Sequence, residues 1–356
     1  MDNGWPTRHV VAHSPAGGMR LTHSEFAPAE SSGRRPNVYA ALDLGTNNCR
    51  LLIARPTHDS FRVVDAFSRI VRLGEGLGSS KRLAEDAIGR AVQALKVCRD
   101  KMDGREVGRA RLIATAACRE AENGEEFCER VLEETGLHLE TIDQETEARL
   151  AAIGCSPLVD PDADGVLLFD IGGGSSEVVW LQRRAGDHRG MPAIHSWVSL
   201  PVGVVTLAES YGGVDVSSAV FEAMVAHVAC LLAPFAASIA PTARYHMLGT
   251  SGTVTTLAGI QLGLPRYERR RVDGTWLNDA ELHEVMARVR AMNYEQRIAS
   301  PCIGHERADL VLAGCAILAA IRQAFPCDRL RVADRGVARR NPDRIDAPGR
   351  RLASRA

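Results

Sequence analysis

Two stretches of the sequence repeat one pattern, Asp43-Leu-Gly-Thr-Asn-Asn-Cys-Arg-Leu-Leu-Ile-Ala54 and Asp170-Ile-Gly-Gly-Gly-Ser-Ser-Glu-Val-Val-Trp-Leu181. They align without a gap at an offset of 127 positions. In each stretch an aspartate closes an apolar strand, a glycine-containing turn follows, and a second apolar strand leaves the turn. A repeat at this distance predicts an α/β protein of two similar lobes, each presenting one hairpin turn to a shared cleft.

The segments around these stretches predict alternating strands and helices. Strand patterns cover 38–43, 49–55 and 61–73, and apolar residues at three- and four-residue spacing predict a helix over 83–102. In the second half we expect a strand at 244–248 and helices at 217–239, 253–262 and within 279–325. The predicted organisation is a flexible N-terminal segment over 1–36, a first lobe over 37–149, a second lobe over 150–336, and a basic, disordered tail over 337–356.

Composition excludes several classes of protein. The 356 residues include 43 Lys plus Arg and 44 Asp plus Glu, a balance that disfavours a nucleic-acid or membrane-surface binder. The apolar run 310–321 is far shorter than a bilayer span, so we expect no membrane segment. The nine cysteines are odd in number and form no CxxC pair, which predicts a reducing cytoplasm and no zinc site.

The two turns are candidate phosphate-binding sites. Gly172, Gly173, Gly174 and Ser175 place consecutive backbone N–H groups in a turn without side chains that would block an anion. The equivalent turn, 45–47, adds the polar side chains of Thr46 and Asn47 to Gly45. Either turn alone could serve hairpin geometry only, but two matched turns favour binding. Neither is a P-loop or a dinucleotide GxGxxG loop, because GxxxxGK[ST] is absent and the second turn enters a strand.

Three carboxylates accompany the turns. Asp43, Asp170 and Glu177 would repel a phosphate unless a cation lay between them, so they are candidate ligands of Mg²⁺, or of Mn²⁺. The alternative is that the two aspartates only cap their turns.

Six segments resemble the exopolyphosphatase and guanosine pentaphosphate phosphohydrolase (Ppx/GppA) family, in its short form. These segments, in family order, are Ala40-Ala-Leu-Asp-Leu-Gly-Thr-Asn-Asn-Cys-Arg50, Ala114-Thr-Ala-Ala-Cys-Arg119, Glu145-Thr-Glu-Ala-Arg149, Phe169-Asp-Ile-Gly-Gly-Gly-Ser-Ser-Glu177, Leu200-Pro-Val-Gly-Val204 and Gly249-Thr-Ser-Gly-Thr-Val254. The resemblance implies two duplicated actin-like (ribonuclease H-like) lobes, with mixed sheets flanked by helices and a cleft between them, within the actin, hexokinase and Hsp70 superfamily.

The resemblance also implies an activity and roles for two further residues. Glu147 would be the general base that draws a proton from the attacking water, and Arg119 would bind the terminal phosphate. Taken alone, Glu147 is an ordinary first-turn glutamate and Arg119 is one arginine among many. The substrate would be inorganic polyphosphate or guanosine pentaphosphate, and the protein could form a homodimer. After Gly336 the family usually continues into an apolar helix, so we expect that the last helix is absent here.

Two other functions remain open at this point. An actin-like ATPase or sugar kinase would share the fold, and a non-catalytic sensor of polyphosphate or pppGpp would share the binding turns. The turn 249–254 fits either a ligand contact or a structural role.

Overall fold

The computed structural model describes residues 12–13, 38–58, 61–183 and 192–335. Within this part of the chain the strands form two mixed sheets, one of five strands and one of seven, and helices flank both. Apart from 12–13, the predicted flexible segment 1–36 lies outside the described residues, as do the predicted tail 337–356 and the position of the last family helix.

The first sheet and its helices form lobe I. Its strands are β2 (Tyr39–Leu44), β3 (Asn48–Pro56), β4 (Phe61–Ile70), β5 (Arg109–Ala114) and β6 (Glu140–Thr141). The short strand β1 (Ala12–His13) precedes them in the chain but lies at the edge of the second sheet. The helices of this part are α1 (Leu77–Ser80), α2 (Glu85–Gly104), α3 (Ala116–Glu120), α4 (Gly124–Thr135) and α5 (Gln144–Cys155).

The second sheet and its helices form lobe II. The strands are β7 (Gly165–Ile171), β8 (Ser176–Gln182), β9 (Ala193–Leu200), β10 (Tyr245–Thr250), β11 (Trp276–Asn278) and β12 (Arg329–Ala333). The helices are α6 (Val204–Tyr211), α7 (Ser218–Ser238), α8 (Gly252–Gln261), α9 (Arg269–Val272), α10 (Asp279–Ala291), α11 (Tyr294–Ala299) and α12 (Val311–Ala324), with 3-10 turns at Ser156–Leu158 and His305–Arg307.

The strand order confirms the duplication predicted from the sequence. The sheet of lobe I runs β4-β3-β2-β5-β6, and that of lobe II contains the equivalent run β9-β8-β7-β10-β12. In both runs the first three strands are an antiparallel meander and the remaining two are parallel to the central strand. The two repeated turns therefore connect equivalent strand pairs, β2 to β3 and β7 to β8.

Each sheet has its own hydrophobic core. Helices α2 and α4 contribute to the core of lobe I, whereas α6, α7, α8, α10 and α12 contribute to that of lobe II. Helix α5 packs on the opposite face of the lobe II sheet, through Ala148, Ala151 and Ala152 against Val166 and Val179. The predicted boundary at 149/150 thus falls inside α5, and we propose that the second lobe begins with this helix.

Helix α7 is longer than the apolar run considered in the sequence analysis. Among the described residues it is the one helix long and apolar enough, by length and composition, to cross a membrane. The core helix of a soluble protein passes the same test, so this is weak support for a span. Phe221, Val228 and Phe235 of α7 are buried in the core of lobe II, where α7 packs against α12. The absence of a membrane segment stays a prediction.

Several elements were not predicted from the sequence, among them the short elements β1, α1, α9, β11 and β12. Strand β9, which completes the meander of lobe II, was not predicted, nor were α6, which follows it, and α3, which contains Arg119. The third strand of lobe I ends at Ile70 rather than at 73, because the chain from Val71 to Gly74 turns to donate hydrogen bonds to the turn between β2 and β3.

Candidate active site

The turn between β2 and β3 directs its N–H groups away from lobe I. The carbonyl of Asn47 accepts hydrogen bonds from the N–H groups of Val71 (2.9 Å) and Arg72 (3.1 Å), and that of Thr46 accepts one from Gly74 (2.9 Å). In a trans peptide the N–H points opposite to the C=O. The N–H groups of Asn47 and Asn48 therefore face away from the segment that holds the turn.

The turn between β7 and β8 is held in the same way. The carbonyls of Gly172 and Gly173 accept hydrogen bonds of 2.9 Å from Val204 and Val205, in the first turn of α6. The N–H groups of Gly173 and Gly174 consequently point away from α6. Two turns with bound carbonyls and outward N–H groups are the arrangement that binds an anion.

The two turns are in van der Waals contact across the cleft. A Cβ on Gly173 would lie 2.9 Å from the Cβ of Thr46, and a Cβ on Gly174 would lie 2.9 Å from its Oγ1. Glycine is required at both positions because a side chain would hold the lobes apart.

A polar cavity of about 70 Å³ lies between the turns. Its size suits a phosphate group rather than a whole nucleotide. All the predicted site residues except Arg119 line it: Asp43, Gly45, Thr46, Asn47, Glu147, Asp170, Gly172, Gly173, Gly174, Ser175 and Glu177.

Helix α5 presents Glu147 to this cavity. The helix begins after Asp143, whose Oδ1 accepts a hydrogen bond of 2.7 Å from the Thr146 N–H and caps the first turn. Arg119 of α3 lies behind Glu147, with its Nη1 3.2 Å from Glu147 Oε2 and 2.9 Å from the carbonyl oxygen of Ile142. Arg119 Nη2 is buried and has no hydrogen-bond partner among the described residues.

Burial and neighbouring charges control the protonation of the two glutamates. The pKa of Glu147 is raised to about 7, chiefly by burial and also by the charges of Asp170 and Asp43, whereas Arg119 opposes this shift. Burial also raises the pKa of Glu177 well above its ordinary value, with contributions from the charges of Glu147 and Asp170. Hydroxyl groups of Ser175 and Ser199 donate to Glu177 Oε1 at 2.8 and 2.9 Å.

The carboxylates fit a divalent cation in part. Their oxygens are the donors that Mg²⁺ prefers, and a cation would relieve the mutual repulsion that raises the pKa of Glu147 and Glu177. Within the described ranges, no three Asp, Glu, His or Cys side chains meet closely enough to form a metal cluster. Glu177 is already bound by two serines, so Asp43 and Asp170 are the better candidates. Mg²⁺ commonly binds one or two carboxylates, completed by water and phosphate.

The sequence analysis missed cationic groups beside the cavity. Arg50, from the first repeated stretch, lines the cavity, and Arg307 lines an adjoining one that shares Asn48 with it. Burial lowers the pKa of Arg307, and the charge of Arg50 lowers it further. Arg50 lies two residues after Asn48, and this position could have indicated that it is near the cavity. Nothing in the sequence around Arg307 indicates that it is near the cavity.

The structure separates two functions in the turn 249–254. Gly249 is a packing residue, because a Cβ there would lie 2.6 Å from the ring of Phe169. Ser251 precedes α8 with a φ of 83° and lines both cavities. Ser251 is therefore the residue of this segment that reaches the cavity between the two glycine turns.

Comparisons with known proteins place the chain in a family. The model of the Ppx/GppA phosphatase family matches residues 52–339, so the chain belongs to this family, which is part of the actin-like superfamily. The crystal structure of the Aquifex aeolicus Ppx/GppA family member is 28% identical, with a TM-score of 0.69 over 85% of this chain and 94% of that one. An exopolyphosphatase-like protein is 27% identical, with a TM-score of 0.78 over 87% of this chain and 98% of that one.

Two more similar proteins extend the comparison. An exopolyphosphatase from Cytophaga hutchinsonii shares the fold, with 23% identity and a TM-score of 0.76 over 85% of this chain and 95% of that one. The bifunctional 3-dehydroquinate synthase/phosphatase of Fusobacterium nucleatum is 27% identical over 310 residues, which are 83% of this chain and 44% of that protein. The chain thus spans less than half the length of this relative. The protein is a phosphatase-family α/β protein with two actin-like lobes.

Proposed function

We propose that this protein hydrolyses the terminal phosphoanhydride bond of inorganic polyphosphate, of pppGpp to give ppGpp, or of both, with Mg²⁺. The observation that carries the proposal is the Glu147 carboxyl group, with a pKa of about 7, in the cavity that both glycine turns line. A carboxylate titrating near neutral pH beside two anion-binding turns is suited to deprotonate water next to a bound phosphate.

The surroundings of the cavity support a polyanionic substrate. The outward N–H groups of the two turns would bind oxygens of the terminal phosphate, and Arg50 and Arg307 would bind oxygens further along the chain. Two of the similar proteins are an exopolyphosphatase and an exopolyphosphatase-like protein, which agrees with this chemistry.

Glu147 and Arg119 would act together in the chemical step. Water attacks the terminal phosphorus, Glu147 accepts the water proton at its carboxylate, and the bond to the bridging oxygen breaks. The released chain keeps that oxygen and its electron pair. General-base catalysis of this kind contributes about 10²- to 10⁴-fold. Arg119 holds Glu147 in place through Nη1, and its buried Nη2 is available to donate to the transferred phosphoryl group.

Asp43 and Asp170 would hold Mg²⁺, directly or through water. The ion would neutralise charge on the phosphate oxygens while the reaction proceeds. Glu177, which two serine hydroxyls bind, would support the turn of lobe II.

Phosphate release from short polyphosphate, long polyphosphate, pppGpp and ATP, measured in parallel with Mg²⁺, tests the proposal. Glu147→Gln should reduce release at least about 10²-fold on the preferred substrate. The control is Glu145→Gln, in the same helical turn but exposed, which should act as the wild type does. Binding without release by the wild type would contradict hydrolysis and favour a sensor. Transfer from ATP to an alcohol would favour a kinase.

A further inference from the structure

Two side-chain contacts cross from lobe I to lobe II beside the active site. The Arg72 guanidinium donates to both carboxylate oxygens of Asp309, at 2.8 Å each, and to the carbonyl oxygen of Glu306 at 3.1 Å. The Gly76 N–H donates to Glu209 Oε1 at 2.8 Å. We name these four residues, Arg72, Gly76, Glu209 and Asp309, the interlobe clasp.

On the lobe I side, the clasp is continuous with the first phosphate turn. Arg72 uses its N–H to hold the Asn47 carbonyl while its side chain crosses to lobe II. Its φ of 47° is left-handed, which costs a residue other than glycine free energy and persists only where surrounding contacts impose it. Arg90 of α2 supports the segment by donating to the Val71 carbonyl at 2.9 Å. Movement of Arg72 would therefore move Asn47.

On the lobe II side, the clasp is continuous with the second turn and with Arg307. Glu209 belongs to α6, whose first residues hold the carbonyls of Gly172 and Gly173. Glu306 and Asp309 lie on either side of Arg307 in the sequence. The Arg72 guanidinium donates hydrogen bonds to both of these residues.

The position of Asp309 is itself fixed by a buried arginine. The Arg297 side chain, in a residue only 2% exposed, donates from Nη1 to the carbonyls of Gly213 (2.9 Å) and Ala308 (2.7 Å). The backbone of Asp309 is in turn packed against Gly213, where a Cβ would lie 2.0 Å from the Asp309 carbonyl oxygen. Asp309 is thus held in place by contacts within lobe II.

We infer that the interlobe clasp couples lobe closure to the shape of the phosphate site, with Arg72 as a positioning residue that acts through Asn47 and Arg307. The expected effect on catalysis rests on the proposed function, whereas the coupling of the clasp to lobe closure is independent of it. When the clasp is intact, both turns face each other with their N–H groups converging. When it is broken, the lobes separate and the closed, binding-competent state becomes a minor population. The apparent affinity for the substrate then falls in proportion to the fraction of protein that remains closed.

Hydrogen–deuterium exchange and steady-state kinetics together test the inference. Arg72→Ala removes the Arg72–Asp309 contact of the clasp from the side of lobe I. Asp309→Asn weakens the same contact from the side of lobe II, because it removes the charge and one acceptor oxygen, and it preserves side-chain shape if the first variant fails to fold. The control is Arg244→Ala, because Arg244 and Asp164 form an equally bidentate pair at 2.9 Å within lobe II. Exchange at the Gly76 N–H reports the cross-cleft contact without requiring any activity.

In both clasp variants we expect the amides of peptide 71–80 to exchange about tenfold faster than in the wild type. In Arg244→Ala the exchange rate of this peptide should equal that of the wild type. On the preferred substrate, KM should rise about tenfold with kcat changed by less than about twofold, because saturating substrate closes the lobes. The double variant should be no worse than either single one. Wild-type exchange in both variants would overturn the clasp, even in an active enzyme. A wild type inactive on every substrate would refute the proposed function. The hydrogen–deuterium exchange of the variants would still show whether the clasp holds the lobes together.

Discussion

The Glu147 carboxyl group lies between opposing electrostatic effects. Burial and the charges of Asp43 and Asp170 favour its protonated form, whereas Arg119 favours the carboxylate. The result is a pKa of about 7, so a small change in the site shifts the fraction of carboxylate available to deprotonate water. The same burial that suits this group for catalysis has a measurable consequence for stability.

Glu147 should make the protein less stable as pH rises. Its pKa is raised from 4.5 to about 7 in the folded state, so the folded protein retains a proton that the unfolded chain releases. Between these pH values its contribution to the free energy of unfolding should fall by about 3 kcal/mol. Urea denaturation in EDTA at pH 5 and pH 8 should therefore show a smaller loss of stability for Glu147→Gln than for the wild type.

Glu145→Gln is the matched control for this measurement, since Glu145 is exposed on the same helix. It should lose as much stability as the wild type between the two pH values. An equal loss in Glu147→Gln and the wild type would show that the Glu147 pKa is not raised.

The position of each glycine turn depends on the segment that donates hydrogen bonds to its carbonyl oxygens. Gly203, just before α6, allows that helix to approach the second turn, because a Cβ there would lie 2.3 Å from the Gly173 carbonyl oxygen. Its φ of −132° suits any residue, so space alone requires glycine. The sequence showed Gly203 within a family segment but gave it no role, since the contact joins residues 30 positions apart.

Gly203→Ala should displace the second turn. We expect a loss of about 1 to 3 kcal/mol in stability, from overpacking, and a loss of phosphate release larger than this destabilisation explains. Gly89→Ala is the control, because Gly89 lies within α2 with nothing within 4 Å of a Cβ, and it should gain about 0.5 to 1 kcal/mol. Thermal unfolding and phosphate release measure both effects. A fully active Gly203→Ala would contradict the role of α6.

Local patterns predicted the elements that are periodic or repeated. The two stretches starting at Asp43 and Asp170 predicted equivalent hairpins, and the structure confirms these in equivalent places of the two sheets. Helix α3 was missed because it is only five residues long, and β9 because its alternation was not recognised. A helix of five residues depends on tertiary contacts more than on its own propensity.

At the scale of the whole molecule, the sheets and the cleft position groups that are distant in sequence. Glu147, on a helix that packs against the lobe II sheet, receives Arg119 from lobe I and faces turns from both lobes. The sequence predicted the lobes and the members of this site through repetition and resemblance. It could not predict the Ser199 contact, which depends on the register between β8 and β9. The interlobe clasp could not be predicted either, because it exists only when the two lobes are assembled.

The central claim is that water, activated by Glu147, attacks the terminal phosphorus of the substrate. The most direct test is turnover of short polyphosphate with Mg²⁺ in H₂¹⁸O, followed by mass spectrometry of the released orthophosphate. The account predicts one ¹⁸O atom in each phosphate released by the wild type and by Glu145→Gln, and no release above background from Glu147→Gln. Unlabelled phosphate, or undiminished labelled release from Glu147→Gln, would contradict it.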